Sequence, residues 1–250
     1  MVVVKIFYIM NWSFSKFTLK KPPMPIRLSF LLGSIFLLFT TAHAQVTVGV
    51  KIGPDFSRLL DAEEGYTGSG STQKLNTTTR TSFYGGVFVD VPLGKADNFY
   101  LRPQLLYTNI GGQLPQMVDY NGNQIAPNVK YSLNYLDVPL QLLYSPTFAF
   151  GKPWIGAGLY AGVLLSGTEK SGSNSTSLLI GDNPNDDIKR YDFGFSLTAG
   201  LTLKCHVLIG ADFQQGLTSI SPSAQPGNTR LNTRTSVLGV HIGYILPNKH

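Results

Sequence analysis

From Tyr191 to Leu203 the chain reads Tyr-Asp-Phe-Gly-Phe-Ser-Leu-Thr-Ala-Gly-Leu-Thr-Leu. Its odd positions hold Tyr191, Phe193, Phe195, Leu197, Ala199, Leu201 and Leu203; its even positions hold Asp192, Gly194, Ser196, Thr198, Gly200 and Thr202. Successive side chains on a strand point to opposite faces, so this alternation predicts one apolar and one polar face. A helix mixes the two sets. At about 3.3 Å per residue the segment is roughly 43 Å long, and a tilt of about 45° leaves it around 30 Å tall. Strands of soluble sandwiches are usually about 5 to 6 residues.

The same parity recurs in seven other places. Val46, Val48, Val50 and Ile52 alternate with Thr47, Gly49, Lys51 and Gly53, and Val87, Val89 and Val91 alternate with Gly86, Phe88 and Asp90. Phe99, Leu101, Pro103, Leu105 and Tyr107 form a third stripe, Leu136 to Tyr144 a fourth and Ile155 to Leu165 a fifth. After the Tyr191 segment, Val207 to Phe213 marks the seventh and Leu238 to Leu246 the last. Eight is an even number, as closure of a single-chain bacterial barrel expects.

The links between segments alternate in length. Leu93–Asn98, Ser145–Lys152 and Lys204–His206 are short, whereas Ser57–Thr78, Gly111–Lys130, Ser166–Lys189 and Gly216–Thr233 are long and polar. Long links therefore fall on one rim, with the short links and both termini on the other. This is the layout of an outer-membrane barrel, with periplasmic turns and extracellular loops. A lipocalin-like soluble barrel needs no such asymmetry and keeps its apolar face inside. Phe99, Tyr144 and Tyr244 near one rim, and Tyr107 and Tyr191 near the other, suit the aromatic belts of a membrane interface.

Targeting agrees. Arg27 precedes the apolar run from Leu28 to Phe39, and Ala42-His43-Ala44 is a small-residue cleavage pattern. That run is too short to span a bilayer as a helix, which takes about 20 residues. Residues 1–44 are expected to be a cleaved signal peptide, with Met24 the expected start, and residues 45–250 the barrel. Lys5, Lys16, Lys20, Lys21 and Arg27 lie in the leader, which holds no acid, and they account for all but one of the net charge of +6. The mature chain has no Lys/Arg stripe, which excludes nucleic acid as a partner class.

Candidate chemistry is sparse. Cys205 is the sole cysteine, so no intramolecular disulfide or thiolate metal site forms, and it is expected to fill a strand end. An eight-stranded barrel is just wide enough to be filled by side chains. Lys51, Asp90, Arg102, Asp137, Asp192, Asp212 and His241 share the inward parity. They are expected to form a polar network in which opposite charges pair, because an unpaired buried charge is costly. The network reads either as packing or as a gated, proton-linked path. Of four histidines, His43 and His250 lie at the ends, His206 in a tight turn and His241 inward. No catalytic grouping is legible, and no cofactor or metal is expected. Gly181-Asp-Asn-Pro-Asn-Asp-Asp187 offers oxygen donors that could hold Ca²⁺ but lacks the Gly and distal Glu of the helical calcium loop, and turn formation is the preferred reading. Glu63–Gly70 reads as a hydrated loop.

Three stretches resemble the PorT-like outer-membrane β-barrel family of Bacteroidota: Val48-Gly-Val-Lys-Ile-Gly-Pro-Asp-Phe-Ser57, Tyr135-Leu-Asp-Val-Pro-Leu-Gln-Leu-Leu-Tyr144 and Gly210-Ala-Asp-Phe-Gln-Gln-Gly-Leu-Thr-Ser-Ile220. Asp55, Leu143 and Asp212 depart from residues common in that family. The resemblance implies an integral outer-membrane protein, one branch of which assists secretion, and it brings no catalytic residue.

The expected fold is therefore an all-β, eight-stranded, antiparallel up-and-down transmembrane barrel. The expected function is non-enzymatic, in the envelope structure or in partner binding through the long external loops. Outer-membrane lipid and other envelope or secretion proteins are the expected partners. A subunit of a secretion or uptake assembly is the alternative, and a barrel enzyme acting on lipid or peptide ranks third.

Overall fold

A computed structural model describes residues 46–62, 77–94, 98–114, 117–118, 124–126, 128–183, 185–222 and 232–247. The expected signal peptide, its cleavage point, Met24, the Glu63–Gly70 loop, His43 and His250 lie outside the described residues.

Eleven strands are described: β1 (Thr47–Ala62), β2 (Arg80–Pro92), β3 (Phe99–Leu114), β4 (Met117–Val118), β5 (Gln124–Ala126), β6 (Val129–Tyr144), β7 (Gly151–Ser171), β8 (Asn174–Ser177), β9 (Tyr191–Leu203), β10 (Val207–Gly216) and β11 (Asn232–Ile245). Eight long ones close into a barrel in the order β1-β2-β3-β6-β7-β9-β10-β11, each antiparallel to its neighbours, and β11 pairs back onto β1. Closure satisfies the backbone ladder on both sides of every long strand, which removes the sheet edges a membrane does not tolerate. The short strands are accessories: β4 pairs with β5 in a separate hairpin, and β8 adds to the end of β7.

The alternation sets the faces. In β9, Leu197 is 45% exposed and its neighbour Thr198 only 4%. Leu142 on β6, Ile155 and Leu159 on β7, Ile209 on β10 and Ile242 on β11 likewise point outward. The aromatic pair Phe99 and Tyr144, in direct register across β3 and β6, has ring centroids 5.2 Å apart.

Three details differ from the sequence expectations. The strands beside the long links run further than the alternation suggested: β1 continues to Ala62 and β7 to Ser171, so parts of the expected loops are sheet. On β7 the parity slips at Leu165, which has no partner while Tyr135 pairs with Leu164 and Asn134 with Ser166. One extra residue carries the strand past this bulge with Gly167 turned inward, and so hides the continuation from a period-two reading. Third, Cys205 does not fill a strand end; it is exposed in the turn joining β9 to β10, where Lys204–His206 suffices and His206 takes a φ of 66°.

The interior is layered. Toward the short links, Phe88, Trp154 and Leu208 pack together with Ile245 against them. Toward the long links, Leu59, Ile110, Leu133, Tyr135, Leu164 and Val237 are joined by Ile188 and Ile220, which come from the links themselves. Polar residues fill the space between.

Candidate functional site

The inward positions of β1, β2, β9, β10 and β11 converge on Asp212. Lys51 Nζ donates to Asp212 Oδ2 at 2.6 Å, the Tyr84 hydroxyl donates to the same oxygen at 2.8 Å, and Thr198 Oγ1 donates to Oδ1 at 2.7 Å. His241 Nδ1 lies 3.0 Å from Oδ2 and 2.8 Å from the Tyr84 oxygen. The Tyr84 proton is committed to the carboxylate, so the tautomer that fits is Nδ1–H, which donates into the Tyr84–Asp212 pair. Every participant is buried. Four donors around one carboxylate offset the cost of taking it out of water.

A second ion pair stands toward the short-link end. Arg102 Nε and Nη2 donate to the two oxygens of Asp90 at 2.6 and 2.8 Å, a bidentate fork between β3 and β2. The guanidinium carbon lies 4.5 Å from the Phe88 ring centre and 4.8 Å from that of Trp154. The fork therefore rests on the apolar layer, where cation–π attraction adds to the pair.

The remaining two candidates have hydroxyl partners instead of cations. Asp137 accepts from Thr108 Oγ1 at 2.8 Å. Asp192 accepts from Thr235 Oγ1 at 2.6 Å, from the Tyr160 hydroxyl at 3.0 Å and from Thr218 Oγ1 at 3.2 Å. The structure pairs Lys51 with Asp212 and Arg102 with Asp90, with His241 added to the first pair, whereas Asp137 and Asp192, expected to pair with opposite charges, take hydroxyl donors instead. The physical reason is position. Lys51 and Arg102 lie toward the short-link half, while Asp192 starts β9 at the long-link rim. Burial can be offset by neutral donors as well as by charge.

Several residues escaped the sequence reading. Asp55 is fully buried and its Oδ1 accepts from Ser82 Oγ at 2.5 Å. Gln104 Nε2 donates to Gln141 Oε1 at 2.7 Å, and Gln141 Nε2 to Ser196 Oγ at 3.2 Å, crossing the lumen from β3 to β9. Tyr84 and Tyr160 share the inward parity of their strands, and that parity was the signal available for them. In the Gly181–Asp187 stretch, Asp186 accepts from the Asn183 N–H at 2.7 Å and Asp187 from the Leu179 N–H at 2.8 Å. These two carboxylates are used as turn acceptors.

A sequence model described as "Outer membrane protein beta-barrel domain" matches residues 40–221. The chain belongs to this family. That places the barrel in the outer membrane and its apolar outer face against lipid. No curated protein matches the chain. Among solved structures, this outer-membrane barrel is similar to OprG of Pseudomonas aeruginosa, at 14% identity over 83% of this chain and 99% of the other, with a TM-score of 0.42. It is also similar to Ail, the attachment invasion locus protein of Yersinia pestis, at 13% identity over 80% and 98%, with a TM-score of 0.37. Neisserial surface protein A aligns at 11% identity over 79% and 96%, with a TM-score of 0.41.

Chemically, the lumen of this family member is a hydrogen-bonded polar layer between two apolar layers, in which Asp55 Oδ2, Gln104 Oε1 and Asp137 Oδ1 accept from no donor among the described residues. His241 is 3% exposed and covered on one face by Trp154, whose ring plane lies within 11° of its own. The polar groups hold the strands together through the barrel centre.

Proposed function

We propose that this protein is a sealed, non-catalytic anchor of the outer membrane. It holds its long-link end outside the cell and binds a protein partner there, with the short links and both termini periplasmic. The observation that carries this reading is the closure of the lumen at the long-link end, where Ile188 and Ile220 fold from the links onto Leu59, Leu133, Tyr135 and Val237. A pore needs a route from one end to the other, and apolar packing of this kind among the described residues closes the long-link end. What this end offers is surface. β8 carries Asn174, Ser175, Thr176 and Ser177, all exposed, and within the nine-stranded sheet it is the strand with a partner on one side only. A free edge of this type accepts an extended segment of another chain through main-chain hydrogen bonds.

The second reading is an accessory subunit of a PorT-like secretion or uptake assembly. It is favoured by the Tyr135–Tyr144 stretch, in which Tyr135, Asp137 and Pro139 are buried and the residues between them face outward. In this barrel the motif serves the wall and the apolar layer, which fits an anchor as well as a subunit.

The test uses cysteine labelling on intact cells with a bulky, membrane-impermeant maleimide. Cys205 lies in a short link and is exposed, so it should react only after lysis. In a Cys205→Ser background, Ser175→Cys should react on intact cells. Labelling of Cys205 from outside overturns the orientation, and stepwise ion conductance of the purified protein in planar bilayers overturns the sealed lumen.

A further inference from the structure

The short-link end of the barrel holds a cavity of about 80 Å³ with a mixed polar and apolar lining, in which Thr47, Asp90, Arg102, Lys152, Trp154 and Thr202 take part. Its one carboxylate is already used. Both oxygens of Asp90 are taken by Arg102 through Nε and Nη2, a fork that leaves Nη1 uncommitted to it. Its donors are in surplus. Lys152 takes part in none of the ion pairs among the described residues. The indole N–H of Trp154 is buried and has no acceptor among them, although a buried tryptophan N–H ordinarily finds one. Thr47 and Thr202 add hydroxyls that can donate.

Two cations against one carboxylate leave the cavity with one net positive charge. A surplus of N–H and O–H donors around that charge is complementary to a group that only accepts. We propose that this cavity binds a small oxyanion, the carboxylate or phosphate group of a ligand entering from the short-link side. Lys152, at the mouth on β7, supplies the unpaired charge. Trp154, one strand step deeper on the same face, lines the cavity and carries the unpartnered buried N–H, and the Asp90–Arg102 fork forms the wall.

The chain has two tryptophans, Trp12 and Trp154, so the deep donor carries its own label. Protein purified from membranes in detergent and labelled with nitrogen-15 is titrated separately with inorganic phosphate, acetate and chloride at constant ionic strength. Trp154→Phe identifies the indole resonance. The expected result is a saturable shift of that resonance with phosphate, acetate or both, and none with chloride. A response to phosphate alone assigns a phosphate ligand and a response to acetate alone a carboxylate. Lys152→Gln should raise the half-saturation concentration roughly tenfold, the loss of one charge-assisted contact, while Lys152→Arg stays within about twofold. The proposal is overturned by a resonance that neither oxyanion moves, by an equal response to chloride, or by unchanged half-saturation in Lys152→Gln protein that keeps its heat-modifiable gel mobility.

Discussion

Trp154 lies face to face with His241, ring centroids 6.0 Å apart and planes 11° apart, and this contact brings two ion clusters together through the barrel interior. The Arg102 guanidinium sits 4.8 Å from the indole ring centre. The imidazole reaches Asp212 and through it Lys51, Tyr84 and Thr198. Asp90, Arg102, Trp154, His241 and Asp212 thus form one stack from the short-link end to the barrel centre.

If the stack acts through the ring face, Trp154→Ala should destabilise the barrel by about 3 to 5 kcal/mol, the usual cost of deleting a buried large aromatic. Trp154→Phe keeps an aromatic ring beside Arg102 and His241 and should cost clearly less. Urea titrations followed by heat-modifiable gel mobility give both values. Equal losses for the two variants would show that the ring face is not what matters.

Lys51 and Asp212 test the charge balance of the lumen. Lys51→Met leaves a buried carboxylate facing only neutral or weakly basic donors, and breaking one partner of such a pair costs about 3 to 5 kcal/mol. Replacing both, Lys51→Met with Asp212→Leu, should cost less than the sum of the two single changes. A double-mutant cycle in urea measures the difference, and strict additivity would contradict a direct Lys51–Asp212 coupling.

These clusters also show how far the chain could be read in advance. Asp90 and Arg102 flank a short link on adjacent strands with the same inward parity, so their pairing follows from alternation alone. Lys51 and Asp212 are 161 positions apart, and their meeting depends on register around the closed barrel, which no local pattern encodes. Asp137 and Asp192 have the right parity, but parity gives the face and not the depth. Nothing in it shows that the inward cations Lys51 and Arg102 lie elsewhere. Ile188 and Ile220 belong to no alternating segment at all, so the apolar closure they complete was invisible to the periodicity that revealed the wall.

Gly53 marks a place where the wall itself permits no side chain. A Cβ there would lie 1.8 Å from the carbonyl oxygen of Val240 on β11. The β1–β11 pairing is interrupted at this point, between the Ile52–Ile242 and Asp55–Gly239 pairs, with the register unchanged. Gly53→Ala should therefore disturb the seam that closes the barrel, and Gly158→Ala, whose Cβ would lie 1.9 Å from the Leu140 carbonyl oxygen, should disturb β7 against β6. Both are expected to lose most of the heat-modifiable folded band. Wild-type yields of that band would mean that the two strands can part without loss of closure.

Leu197 decides what surrounds the outer face. It lies in the middle of β9, pairs with Ala157 and Phe213 on the flanking strands, and lines a shallow external groove of about 480 Å³ together with Ile155 and Leu238. In lipid, Leu197→Arg should destabilise by roughly 2 to 4 kcal/mol, the cost of a cation near the bilayer midplane. In water, a substitution at a site so exposed should stay within about 0.5 kcal/mol. Leu179, 62% exposed in the link between β8 and β9, provides the comparison, because arginine there remains in water in either case. Urea titrations of the two variants in phospholipid bilayers should separate by several-fold in their losses. Matching small losses would mean that the apolar stripe of β9 does not face lipid, and with it the membrane orientation of the whole wall would fail.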